Sequence, residues 1–210
     1  MRAPEDVVAD LLPMTGVVLA GGRSTRMGRD KALLALDDGG EALVTQQVRR
    51  LGAIFARVIL SAGDAARYAG VGVPVAVDRF PGAGPLAGIA AALEAAETDW
   101  AFCCAVDMPF VSEPLVRHMA GLALAGGHDI VVPRGEKGAE PLHAAYARSC
   151  RARFEERLRA GRNKVDAAFE GLRVRFVEPD EVARFDAGRR SFVNVNTPED
   201  LEAARREAAA

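Results

Sequence analysis

Four short apolar runs dominate the first 107 residues: Gly16–Ala20 (GVVLA), Arg57–Ala62 (RVILSA), Val73–Asp78 (VPVAVD) and Trp100–Asp107 (WAFCCAVD). Each has strand length and lacks the in–out alternation of a half-exposed strand, so each reads as a strand covered on both faces. Between them lie helical stretches, Glu41–Phe55, a short Asp64–Ala69 piece and Leu86–Glu97. Strands alternating with helices predict layers, with a mainly parallel sheet between two helical layers. The expectation is a single three-layer α/β/α domain with a mainly parallel, Rossmann-like sheet.

The second half is less regular. Glu113–Ala125 reads as a helix capped by Ser112, with Pro114 in its first turn. Asp129–Pro133, His143–Ala147 and Leu172–Val177 read as strands, and Ser149–Ala160 as an Arg/Glu-rich helix. Thr197-Pro198-Glu199-Asp200 is a helix start, with a capping hydroxyl, proline at the first helical position and acids in the first turn. No internal repeat or linker divides the 210 residues, so residues 15–210 read as one domain, with 1–14 as an N-terminal extension.

Composition narrows the function. With 27 basic and 29 acidic side chains the net charge is −2, which argues against a general nucleic-acid binder. No window approaches about 20 uninterrupted apolar residues, and the N-terminus lacks a signal pattern, so the expected location is cytoplasmic, without membrane contact. Cys103, Cys104 and Cys150 form no disulfide framework, and the three scattered histidines make no zinc pattern.

The most informative segment is LAGGRSTRMGRDKALL, residues 19–34. A buried strand runs into Gly21-Gly22, then into a polar loop holding Arg23, Arg26, Gly28, Arg29 and Lys31. Glycines let backbone N–H groups approach a ligand, and cations neutralise phosphate oxygens. The loop lies at the carboxyl end of a strand, where open α/β sheets bind ligands. This predicts a cradle for nucleoside triphosphate phosphates. It is not a Walker A loop, because Gly28 is followed by Arg29 and Lys31 by Ala32. Asp78 and Asp107 each close an apolar run and should emerge on the same edge. Asp107, at a sharp exit before Met108-Pro109, is the better candidate for Mg2+, which takes one or two carboxylates plus substrate phosphates.

These residues resemble the signature of the molybdenum cofactor guanylyltransferases, within the nucleotide-diphospho-sugar transferase-like nucleotidyltransferases. Leu19, Ala20, Gly21, Gly22, Ser24, Arg26, Met27, Gly28, Asp30 and Lys31 stand in register with that family's L-A-G-G-x-S-x-R-M-G-x-D-K. The segment 84–88 resembles its G-P-L-A-G loop, 107–109 its D-x-P motif, and 192–198 its N-V-N-T-P ending. The chain departs at Ser61, where the family often has Asn, and at Glu140-Pro141, where it often has His-Pro.

The resemblance implies transfer of GMP from GTP to the terminal phosphate of Mo-molybdopterin, with Mg2+ and release of pyrophosphate. It implies Arg26, Lys31 and Asp107 as catalytic residues. The implied nucleotide contacts are Leu19, Ala20, Gly21, Gly22, Lys31, Ser61, Asp78, Asp107, Asn194 and Asn196. Asp107 and Asn196 are implied on the metal side. Transient contacts with molybdenum-insertion proteins or apo-molybdoenzymes would follow.

Other readings compete for some residues. Gly82-Ala83-Gly84-Pro85-Leu86-Ala87 fits the G-x-G-x-x-A of a dinucleotide-binding oxidoreductase. A non-catalytic nucleotide-binding protein would have lost Asp107 or Lys31, and a nucleotidyltransferase for another base or acceptor would keep both. Cys104 with His118 could suggest a thiol nucleophile, but no orienting group stands at useful spacing. The basic run Arg148–Lys164 reads as a solvated helix face, or, at Arg162–Lys164, as a grip on the pterin phosphate.

Overall fold

A computed structural model describes residues 11–21, 31–35, 40–135 and 138–208. Its strands are β1 (Leu12–Leu19), β2 (Phe55–Ala62), β3 (Val75–Val77), β4 (Trp100–Ala105), β5 (Ile130–Gly135), β6 (Gly138–Ala139), β7 (His143–Ala147) and β8 (Val174–Val177). Its α-helices are α1 (Leu43–Gly52), α2 (Pro85–Ala95), α3 (Glu113–Leu124), α4 (Cys150–Arg159), α5 (Pro179–Ala183) and α6 (Pro198–Ala208). The sheet runs β3-β2-β1-β4-β7-β5, with β6 and β8 both pairing with β5. β3, β2, β1 and β4 are mutually parallel, β7 is antiparallel to β4 and β5, and β8 is parallel to β5.

The continuous apolar runs are explained by a core on each face of the sheet. Val18, Leu60, Phe102 and Cys104 pack with α1, α3 and α6 on one face. Their neighbours Val17, Ile59, Ala101 and Cys103 pack with α2 and α4 on the other. The adjacent cysteines therefore face opposite layers, and all three thiols are free and buried.

Several element boundaries differ from those read in the sequence. β1 reaches back to Leu12, and Met14 is fully buried, so the strand begins inside the stretch read as an extension. Phe55 opens β2 instead of closing α1. It stacks on Phe102 with ring centroids 5.6 Å apart. That stack explains Gly16. A Cβ there would lie 2.8 Å from Phe55 Cδ2 and 3.3 Å from Leu51 Cβ. Both neighbours are buried and cannot swing away, so Gly16→Ala should destabilise the fold by about 1–3 kcal/mol through overpacking. Urea unfolding checks this; an unchanged midpoint would show that Phe55 repacks freely.

Candidate functional site

The carboxyl ends of β3, β2, β1 and β4 form one edge. Leu19 pairs in register with Ser61 on one side and Ala105 on the other, and Ser61 with Ala76. Beyond these pairs the main chain stays tied. Ala20 N–H donates to Ser61 C=O at 2.8 Å, Val106 N–H to Leu19 C=O at 3.0 Å, and Asp78 N–H to Ala62 C=O at 3.4 Å. Strand order reverses between β1 and β4, and the loops leaving those two strands carry the glycine-rich signature and Asp107. That is the topological switch point at which open α/β sheets bind ligands.

Asp107 lies two residues past β4, half-buried. Its carbonyl accepts from Val195 N–H at 2.8 Å, which sets the return segment Asn194–Asn196 directly against it. That segment is anchored from both ends. Asp186, buried, accepts with its carboxylate from the N–H groups of Arg190 and Ser191 at 3.1 and 2.9 Å. Ser191 Oγ accepts from Ser112 N–H at 3.0 Å, tying it to the start of α3. Downstream, Asp200 Oδ2 accepts from Asn196 N–H and Thr197 N–H, and Asp200 N–H donates to Thr197 Oγ1. This reciprocal cap is the helix start expected at Thr197.

The turn holding Asp107 is also pinned from below by Gln47, which the sequence reading missed. Fully buried on α1, its Nε2 donates to Met108 C=O at 2.5 Å and Ala105 C=O at 3.4 Å. A polar residue on the inner face of an amphipathic helix was the available signal, since a buried amide needs partners.

The other expected residues are placed unequally. Leu19, Ala20 and Gly21 line the end of β1, and among the described residues a Cβ on Gly21 would meet nothing within 4 Å. Asp78 is half-buried and its Oδ1 accepts from Phe80 N–H. Asn194 is exposed, and its Nδ2 donates to Phe192 C=O at 3.1 Å. Ser61 is 1% exposed and turned away from the edge: its hydroxyl donates to Gly88 C=O in α2 at 2.8 Å. A Cβ on Gly88 would stand 3.1 Å from that oxygen, which explains the glycine there. Gly22, Arg26 and the side chain of Lys31 lie outside the described residues; the backbone of Lys31 opens a short 3-10 turn.

Cys104 does not contact His118. Its Sγ lies 3.7 Å from Nδ1 of His143, and burial, then the Asp107 charge, push its thiol up to about 12. Such a thiol stays protonated and is a poor nucleophile. His118 instead pairs with Glu181 at 2.7 Å and stacks on Phe185. His143 is fully buried, in T-shaped contact with the rings of Phe102 and Phe192, and its Nε2 has no partner among the described residues.

Burial drives the His143 pKa down to about 4, against a smaller opposing pull from Asp186. The native imidazole therefore stays neutral while the unfolded one protonates near its ordinary value. Stability should be full above about pH 6.5 and fall towards pH 4, by on the order of 2–3 kcal/mol. His143→Gln should flatten that slope in urea titrations between pH 7 and pH 4.5, and an equally steep slope in the variant would place the dependence elsewhere.

Arg151 and Arg159 both pair with Glu155, and Arg157 with Glu170, so much of the basic run on α4 is an ion-paired face. The glycines of the dinucleotide-like motif precede α2, Gly82 and Gly84 having φ of 79° and 81°. They follow the edge strand β3, away from the switch point, which is not where a dinucleotide fingerprint belongs. A cavity of about 210 Å3, lined by Thr15, Arg57, Pro74 and Glu97 among others, lies at the opposite edge of the sheet from Asp107. Among the described residues no helix is long and apolar enough to cross a membrane.

A sequence model described as "MobA-like NTP transferase domain" matches residues 16–179. A protein of Pelotomaculum thermopropionicum named "Probable molybdenum cofactor guanylyltransferase" is 40% identical over 195 residues, covering 93% of each chain. The "Molybdenum cofactor guanylyltransferase" of Desulfosudis oleivorans is 34% identical, over 91% of this chain and 94% of that one. Among solved structures, molybdopterin-guanine dinucleotide biosynthesis protein A from Archaeoglobus fulgidus superposes with a TM-score of 0.82 at 28% identity, covering 93% of this chain and 99% of that one.

Proposed function

The chain belongs to the MobA-like NTP transferase domain family, and from that membership we propose that it transfers GMP from GTP to the terminal phosphate of Mo-molybdopterin. The products are molybdopterin guanine dinucleotide cofactor and pyrophosphate. The fold is that of the nucleotide-diphospho-sugar transferases. The observation that supports the site is the 2.8 Å bond from Val195 N–H to Asp107 C=O, which sets the main chain of Asn194–Asn196 beside that of Asp107 at the switch point.

Asp107 and Asn196 offer hard oxygen donors, one charged and one neutral. Among the described residues no group of three or more His, Cys, Asp or Glu forms a cage. A partial oxygen set with positions left for phosphates suits Mg2+. Held there, Mg2+ supplies charge neutralisation at the phosphates.

The remaining work falls to the chain. Backbone N–H groups of the glycine-rich loop that begins at Gly21, past the last sheet bond of Ala20, cradle the triphosphate, and Arg26 and Lys31 balance its charge. The base and ribose lie over Leu19–Gly21 towards Asp78, with Asn194 on the acceptor side. Ser61 supports this floor through its bond to Gly88, not through the nucleotide. An oxygen of the acceptor phosphate forms a bond to the α-phosphorus while the α–β anhydride bond breaks and pyrophosphate leaves with the electron pair. The nucleophile is already anionic, so no general base is required, and catalysis is positioning with charge neutralisation. We place the reaction in the cytoplasm, in keeping with three free thiols, with product passing to molybdenum-insertion proteins or apo-molybdoenzymes.

Nucleotide-dependent pyrophosphate release tests this reading, comparing GTP, CTP, ATP and UTP with and without molybdopterin. Release requiring both GTP and molybdopterin is expected; release independent of the pterin, or absent with it, would overturn the assignment.

A further inference from the structure

The nucleotide half of the site ends at β4, and the other half of the edge carries a second group of cations. In register, Phe102 of β4 pairs with Ala145 of β7, and Ala145 with Val131 of β5. Three residues further along each parallel strand, Ala105 and Arg134 stand level, two strand spacings or about 10 Å apart. Arg134 C=O accepts from Nη2 of Arg189 at 3.0 Å. The Arg189 guanidinium is thus held at the height where β4 gives way to Asp107, on the side of β4 away from β1.

Arg189 is unusual in two further respects. Its φ is 50°, the sole positive value for a non-glycine among the described residues. Its Nε is buried without a hydrogen-bond partner among them. A strained backbone persists only where its surroundings over-determine it. Here they do: Asp186 C=O accepts from Arg189 N–H at 2.9 Å while the Asp186 carboxylate holds the next two N–H groups. Glycine would fit this turn more easily, so the side chain is retained against a backbone cost. Its neighbour Arg190 places its guanidinium 4.7 Å from the ring centroid of Phe110, three residues after Asp107. Arg190 also stands close enough to Arg50 to help lower that guanidinium's proton affinity, after burial and Arg49. Like charges gathered beside a site where an anion must arrive are suited to binding it.

We propose that Arg189, with Arg190 beside it, grips the terminal phosphate monoester of the acceptor on the β5 side of Asp107. The planar guanidinium fork suits two phosphate oxygens at once. It also offsets the repulsion between the two anions that must meet. The proposal rests on the guanylyl-transfer reading and adds the residues that receive its acceptor.

Equilibrium binding of molybdopterin, followed by pterin fluorescence without nucleotide, tests it, with GTP binding measured in parallel. Arg189→Gln should weaken molybdopterin about tenfold or more and leave GTP affinity within about twofold. It should also erase the preference of the wild-type protein for the phosphorylated pterin over its dephosphorylated form. Arg189→Gly removes the side chain while relaxing the backbone; it should show the same loss of acceptor with an unchanged or raised Tm, separating charge from fold. Wild-type molybdopterin affinity in both variants, or a parallel loss of GTP, overturns the grip. Failure of the wild-type protein to bind molybdopterin while binding GTP normally overturns instead the acceptor reading, and the grip with it.

Discussion

Asp107→Ala should lower GTP-dependent pyrophosphate release by about a thousandfold or more while leaving a cooperative fold. Removing one preorganised charge-stabilising group from a polar active site commonly costs about a hundred- to a thousandfold, and on the proposed metal-side reading Asp107 would lie at the upper end. The fold should tolerate the change because the turn is held by main chain. Asp107 C=O, unchanged by the substitution, accepts from Val195 N–H, and Gln47 grips Ala105 C=O and Met108 C=O on either side. Asp107→Asn should fall nearly as far, since the shape is kept and the charge is lost. Titrating activity against Mg2+ gives the decisive comparison. Near-wild-type turnover by Asp107→Ala at low Mg2+ would remove the carboxylate from the metal side, and an early loss of cooperative melting would make its role structural.

The parts of this architecture that were legible in the sequence are those that local chemistry dictates. Val17 and Val18 are each buried because helices cover both faces, and an uninterrupted apolar run is how such a strand appears. Thr197 announces its helix by its own cap. The ligand edge followed, since Leu19 and Ala105 must end together when β1 and β4 are parallel neighbours. What stayed hidden depends on partners distant in sequence. Ser61 occupies a strand end, as a ligand-facing residue would, but which way its hydroxyl turns is decided by the close approach of α2 at Gly88. His143 resembles any other histidine until β7 inserts antiparallel between β4 and β5 and buries it. Gln47 and Arg189 act on carbonyls 61 and 55 residues away, which no local pattern reports.

Base choice is the second large effect, and it turns on Gly21. A methyl at Gly21 would project over the end of β1, where a purine needs more room than a pyrimidine. In this chain the position is exposed, and among the described residues an added Cβ meets nothing within 4 Å. Gly21→Ala therefore interrogates the ligand and not the fold, and its Tm should match that of the wild-type protein. Guanine presents a ring N–H and an exocyclic amine as donors. On the proposed reading, backbone carbonyls at the strand end and the Asp78 carboxylate, whose Oδ1 already accepts from Phe80 N–H, would accept from them. A base with a mismatched edge leaves such acceptors unpaired, at about 1–3 kcal/mol for each group. Two such groups correspond to a preference for GTP over CTP or ATP of about a hundredfold in kcat/KM. Ser61, committed to Gly88, contributes nothing to that preference, so Ser61→Ala should leave it unchanged while lowering stability. Gly21→Ala should reduce kcat/KM for GTP more than for CTP, narrowing the ratio from the GTP side. Equal kcat/KM for GTP and CTP in the wild-type enzyme would contradict the glycine argument and turn the assignment from guanylyl to cytidylyl transfer.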